Sequence, residues 1–281
     1  MVATQQNPAI RRVQLGLFLR ELRERSGVRS GTVAKELDWY PGKLTRVEKG
    51  ELTVAAAEIN VILGLFGVPD GPEADKIRAL ASEARKRDRP SRIPDWARTY
   101  AGMEALASEI KVHNGDLIPG FMQTTDYARA LLSTSLVTTN RDAERRADER
   151  VLRGTKIIQH EGRPIIAILG EGALRYEVGG RETLRAQLEH LRDLAELDHV
   201  EVRVLPYTAG EHAALGTPFT VLHLDDPQAT YVYVEGLTDA DYLEKPAHTS
   251  VYVQAFDRLS EVSLDRPETE RRLDERIREL R

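Results

Sequence analysis

Residues 27–50, GVRSGTVAKELDWYPGKLTRVEKG, constrain the fold of this chain more than any other stretch. Val33, Ala34 and Leu37 fall at i, i+1 and i+4, one face of a short helix. Leu44 and Val47 lie three apart and face the same way on a second helix. Ala34 is small where two helices must approach closely. Asp38, Trp39 and Tyr40 read as the turn, with Pro41 at the first helical position, where its missing N–H goes unused anyway. Gly50 tolerates the left-handed geometry that closes a helix. Lys43, Arg46 and Lys49 remain on the outer face. Two short helices, a tight turn and an outer row of cations suit insertion of the second helix into a DNA major groove.

The flanks agree. Leu15, Phe18, Leu19 and Leu22 supply a packing face for a preceding helix, and Val54, Ile59, Ile62, Leu63 and Phe66 for a following one. Ile77, Leu80, Ala81 and Ala84 add a weaker stripe within residues 70–89, which predicts an all-α five-helix head. Residues 11–68 resemble the Cro/cI-like (XRE-type) helix-turn-helix family. The residues that carry the resemblance are Leu19-Arg20, Arg23, Gly27-Val28, Ala34, Leu37 and the run Leu44-Thr45-Arg46-Val47-Glu48-Lys49-Gly50. The resemblance implies a lambda-repressor-like head. It implies that Ser30 opens the first motif helix near a phosphate. It also implies that Lys43, Thr45 and Arg46 lie on the groove-facing side of the second. The chain departs from the family at Tyr40, where a small N-capping Ser or Thr is usual. Pro41 and Gly42 occupy the next two positions, from which relatives reach base edges, and neither offers a side-chain hydrogen bond. Lys43 and Arg46 are therefore expected to dominate direct contact, with DNA shape contributing.

The candidate DNA-binding set is Arg29, Ser30, Tyr40, Lys43, Thr45, Arg46 and Lys49. Several have a second reading. Arg29 is either a phosphate contact or solvated surface. Lys43 and Lys49 suit phosphates better than bases. Arg46 has no acidic partner at helical spacing. Glu48 either reads cytosine or, as in the family, pairs with Arg23. Trp39 either stacks on a sugar or anchors the turn in the core.

Charge is distributed unevenly. Residues 1–50 hold 10 Lys+Arg and 5 Asp+Glu, a net of +5, whereas the whole chain is −5. The remaining residues therefore carry −10, as expected of a basic DNA-binding head with a body that does not hold DNA. With no cysteine there is no disulfide, thiolate zinc site or cysteine nucleophile. No apolar signal segment or membrane-length run occurs, which predicts a cytoplasmic protein without membrane partners.

The predicted organisation is a helix-turn-helix head over residues 1–84, a basic Pro-containing linker over 85–95, and a mixed α/β regulatory or interaction domain over 96–281. The linker either touches phosphate or is merely solvated. Helices are expected at 104–112, 125–132, 141–153, 181–197, 246–262 and 267–280, and strands at 165–169, 200–204, 219–224 and 230–234. In the last helix, Glu268/Arg272 and Asp274/Arg278 are expected to pair. From Trp96 the chain resembles the C-terminal domain of actinobacterial WhiJ-like XRE regulators. The markers are Ile118-Pro119-Gly120-Phe121-Met122-Gln123-Thr124, Gly170-Glu171-Gly172-Ala173-Leu174-Arg175, Gln187-Leu188-Glu189-His190-Leu191 and Gly210-Glu211-His212-Ala213. The resemblance implies a toxin–antitoxin-like arrangement, in which a small cognate protein modulates DNA binding.

Enzyme signatures are missing. Gly170-Glu171-Gly172 starts like a dinucleotide loop, but Arg175 stands where the third glycine belongs. There is no P-loop, serine elbow or His-Glu-x-x-His pair. The seven histidines lack metal-ligand spacing. His212, in a Gly- and Pro-flanked loop, reads as ordering that loop. Glu171 and Glu235 are candidate strand-end carboxylates. The expectation is a transcriptional regulator, not an enzyme, with no cofactor or metal, acting as a homodimer on double-stranded DNA. Alternatives are an antitoxin-like protein that mainly sequesters its cognate protein, and a small-molecule sensor or enzyme domain tethered to the head.

Overall fold

Apolar spacing turns the N-terminal region into consecutive short helices. In the computed structural model, which describes residues 8–86, 95–135, 140–237 and 240–281, these are α1 (Pro8–Ser26), α2 (Ser30–Glu36), α3 (Lys43–Glu48), α4 (Ala56–Leu65) and α5 (Pro72–Ala84). One core joins them, with Leu15, Leu19, Leu22, Val33, Trp39, Leu44, Val47, Ile59, Ile62 and Ile77 all buried. Each large side chain so buried contributes about 1.5–3 kcal/mol. Gly16 sets the closest approach. A Cβ there would run into the backbone carbonyls of Val47 and Glu48, so only glycine lets α1 lie against the end of α3.

The chain divides into two compact units, residues 1–106 with 224–228, and residues 107–223 with 229–281. α6 (Asp95–Leu106) clusters with the first. Gly102 on α6 leaves room for the side chain of Val13 on α1, and Thr99 Oγ1 donates to the Lys49 carbonyl at 3.3 Å. The compact unit thus extends past the boundary read at residues 85–95. Most of that linker, residues 87–94, lies outside the described residues.

The second unit follows as β1 (Glu109–Asn114), α7 (Thr125–Ser133), α8 (Asn140–Ile158), β2 (Ile165–Gly170), α9 (Arg181–Ala195), β3 (Val200–Leu205), β4 (Phe219–Asp225), β5 (Gln228–Glu235), β6 (Ala240–Leu243), α10 (Pro246–Val262) and α11 (Arg266–Glu279). The sheet order is β3-β2-β1-β4-β5-β6. β1 and β3 flank β2 in parallel, and β1 pairs antiparallel with β4, as β5 does with β6. Parallel neighbours require crossovers, which α7–α8 and α9 provide. β2 is almost wholly buried, which is why its sequence is a continuous apolar run rather than an alternating one. The outer edge of β3 is closed by the segment leading into α11. Leu264 N–H donates to the Val204 carbonyl at 2.8 Å, and the Val204 N–H donates to Thr269 Oγ1 at 3.1 Å.

Two expectations are corrected here. The helix read over 104–112 breaks at Leu106, and Glu109–Asn114 is strand β1. Ile110 and Val112, both buried, fit one turn of helix as readily as a strand, because so short a run suits either period. The pairs within the last helix do not form as expected. Arg272 reaches Glu171 at 3.1 Å, and Asp274 accepts from Arg192 on α9 at 3.3 Å, because a helix packed on another finds closer partners off its own surface.

Candidate nucleic-acid interface

The turn of the motif is built from two backbone devices. α2 ends in a fold-back in which Trp39 N–H donates to the Ala34 carbonyl at 2.8 Å and Asp38 N–H to that of Lys35 at 3.4 Å. This places Asp38 at φ 51, the only non-glycine residue with positive φ among the described residues. Next, Lys43 N–H donates to the Tyr40 carbonyl at 3.2 Å. With Gly42 at φ 89 and ψ −10, Tyr40-Pro41-Gly42-Lys43 is a type II turn, with proline and glycine at the positions that prefer them. Pro41 is therefore not the first residue of the helix, contrary to the expectation from its sequence position. α3 begins at Lys43, since the left-handed Gly42 has to come first.

Trp39 is buried, which settles its role as a turn anchor. Its Nε1 donates to Glu58 Oε1 at 2.8 Å, and Lys43 Nζ approaches the same oxygen at 3.2 Å while lying 4.0 Å above the Trp39 ring. Ala55 N–H donates to Glu58 Oε2 at 2.8 Å, as at the start of a capped helix. Burial disfavours the Glu58 charge, but the hydrogen bonds from Ala55, Trp39 and Lys43 outweigh it and hold the carboxyl below its usual range. Sequence reading missed Glu58. The available signal was a Glu at the third position of an apolar helix.

Glu48 is the expected ion pair. Arg23 Nε and Nη2 reach its two oxygens at 2.6 and 3.0 Å, a bidentate fork, with the Glu48 side chain only 8% exposed. Glu48 therefore faces inward and is not a base reader.

The candidate DNA-binding residues fall into two groups. Arg29, which precedes α2, and Ser30, its first residue, are exposed, as are Tyr40, Thr45, Arg46 and Lys49. Thr45, Arg46 and Lys49 project from the side of α3 opposite buried Leu44, Val47 and Glu48. Lys43 differs from the expectation. Its side chain is 22% exposed and is engaged by Glu58 and Trp39, so its charge is already satisfied within the head. Arg46 also has a partner that helical spacing did not reveal. α3 ends in a second fold-back, with Gly50 N–H bonded to the Val47 carbonyl at 2.9 Å and Glu51 N–H to that of Arg46 at 2.9 Å. This returns Glu51 alongside Arg46, whose Nε donates to Glu51 Oε2 at 2.8 Å.

In the second unit, Glu171 and Glu235 do sit at strand ends, but not as a carboxylate pair. Glu171 is buried and accepts from Arg175, from Tyr207 N–H and from Arg272. Burial opposes its charge, and these donors overcome that and lower its pKa. The glycines of the dinucleotide-like loop have packing roles. A Cβ at Gly170 would run into the Gly115 carbonyl, and one at Gly172 would crowd Asp116 Oδ1. His212 meets His113 edge to face at 5.9 Å between ring centroids, and burial lowers the His113 pKa. No group of three or more His, Cys, Asp or Glu able to hold a metal occurs among the described residues.

A domain of unknown function, DUF5753, matches residues 97–275, more than half of the chain, and a helix-turn-helix domain matches residues 14–77. The chain belongs to the DUF5753 family. No curated protein and no solved structure matches it. The helix-turn-helix match covers most of α1, all of α2 to α4 and the first part of α5, and so includes every residue of the candidate interface. A helix-turn-helix domain ahead of a DUF5753 domain supports a DNA-binding regulator. No helix among the described residues is long and apolar enough to cross a membrane.

Proposed function

We propose that this chain is a sequence-specific transcriptional regulator of the XRE type. It inserts α3 into the major groove and acts as a dimer on an inverted repeat. The observation that carries this reading is the exposed face of α3. Thr45, Arg46 and Lys49 project from a helix whose opposite side is locked into the head by Leu44, Val47 and the Arg23–Glu48 fork. Arg29 and Ser30 at the start of α2 suit phosphate contacts. The test is Arg46→Ala in the full chain. It should cost about 1–3 kcal/mol on the operator and much less on random duplex, if Arg46 reads a guanine edge. An equal loss on both would make Arg46 a backbone contact.

The DUF5753 domain, in this reading, has no catalytic role and modulates DNA binding through a small cognate protein or a ligand. What supports it is the acidic balance of the chain beyond residue 50 together with the resemblance to WhiJ-like regulators. Linkage makes this quantitative. A partner that changes operator affinity by some factor must bind the DNA-loaded protein differently by the same factor. Gel shifts of the full chain, titrated with the product of an adjacent small gene, measure that factor. Unchanged operator affinity at saturating partner would refute modulation.

A further inference from the structure

Arg46 carries five N–H donors in a rigid fork, and the head engages two of its three nitrogens, one closely and one weakly. Nε donates to Glu51 Oε2 at 2.8 Å, and Nη1 approaches the Tyr40 hydroxyl at 3.4 Å. Among the described residues, nothing else in the structure bonds the end of the guanidinium formed by Nη1 and Nη2. That end is the edge that pairs bidentately with guanine O6 and N7. Both partners are positioned by backbone rather than by chance. Glu51 N–H is bonded to the carbonyl of Arg46 itself, and Tyr40 opens the type II turn whose fourth residue starts α3.

We propose that Glu51 is a positioning residue for base recognition: it grips the side edge of Arg46 and presents the end-on edge to the groove. This rests on the reading above that Arg46 contacts a base. An arginine on a flexible stem reaches phosphate and base alike, so fixing its plane favours the base. The Glu51 carboxylate, 37% exposed beside that guanidinium, also repels phosphate and weakens binding that uses the DNA backbone alone. Glu51 thereby gives up affinity on random sequence and gains discrimination on the operator. A surface ion pair of this kind adds little to folding, so its loss should leave the melting temperature nearly unchanged.

The experiment selects preferred sites from a randomised duplex library with the full chain. Dissociation constants are then measured on the best site, on its single-base variants and on random duplex. Glu51→Ala should reduce the preference at the Arg46-dependent base about 3- to 10-fold, with equal or tighter binding to random duplex. Glu51→Gln keeps an acceptor for Nε and should retain most of the preference while tightening random binding. Tyr40→Phe should give a smaller loss at the same base. Preference unchanged in Glu51→Ala, or binding strengthened equally on every sequence, would overturn the proposal. Arg46→Ala separates the two levels. If it erases the preference while Glu51→Ala does not, only the positioning role fails. If it too leaves the preference intact, the base-reading role falls and the positioning role with it.

Discussion

Asp38 holds a backbone conformation that glycine would take without cost. Its φ of 51 closes α2 and turns Trp39 into the core. Its side chain is exposed, and no side-chain hydrogen bond is among its described contacts. Asp38→Gly should therefore change stability only modestly. Relief of left-handed strain, about 1 kcal/mol, is set against a more flexible unfolded chain. Chemical denaturation should show a small net gain, and a loss above about 1 kcal/mol would mean that the carboxylate has a structural partner. Glu48 lies at the other extreme. Removing it strands the Arg23 guanidinium, 19% exposed, without its fork. Glu48→Ala should cost about 3–5 kcal/mol, measured by denaturant titration, and a loss below 1 kcal/mol would show that solvent reaches Arg23 freely.

At the scale of elements, the motif is held by its connections more than by its helices. α2 has 7 residues and α3 has 6, too short to persist alone in water. Glu58 on α4 ties them together through Trp39 and Lys43. Its folded pKa lies below the usual carboxylate value, so the stability it contributes is present above the unfolded pKa. That stability is lost as pH falls through the folded pKa. Unfolding free energy of the head should therefore drop below about pH 4.3, the ordinary glutamate value. Glu58→Gln should flatten that part of the profile, and an identical acid slope in the variant would refute the linkage. Tyr40-Pro41-Gly42 suits a type II turn, yet proline suits the start of a helix equally well, because both roles favour the same φ. β6 escaped notice because four residues with an alternating pattern carry too little signal.

For the molecule as a whole, DNA binding should be strongly salt-dependent through the basic head. Each phosphate contact contributes about −0.9 to the slope of log K against log salt. Lys49, exposed beyond α3, should contribute such a unit, and Lys49→Ala should make the slope shallower by about that amount. Lys43→Ala should leave the slope nearly unchanged, because Glu58 already neutralises that charge, and should instead loosen the turn. A slope change in Lys43→Ala equal to that in Lys49→Ala would mean that Lys43 leaves Glu58 for phosphate on binding.

Periodicity alone determined the helices of the head, the apolar run of β2, the alternation of β3 and the faces of α9 and α11, since each is a local pattern that burial imposes residue by residue. The resemblance carried by residues 44–50 located α3 and anticipated the Arg23–Glu48 pair, because that pairing travels with the motif. Tertiary structure alone decided the rest. It brought Glu58 to Trp39, returned Glu51 to Arg46 and sent Arg272 to Glu171 instead of to its own helix. It also assigned Gly16 to the crossing of α1 and α3. These outcomes depend on left-handed closures and on which surfaces meet. A charged side chain takes the nearest partner in space, and sequence separation does not reveal which one that is.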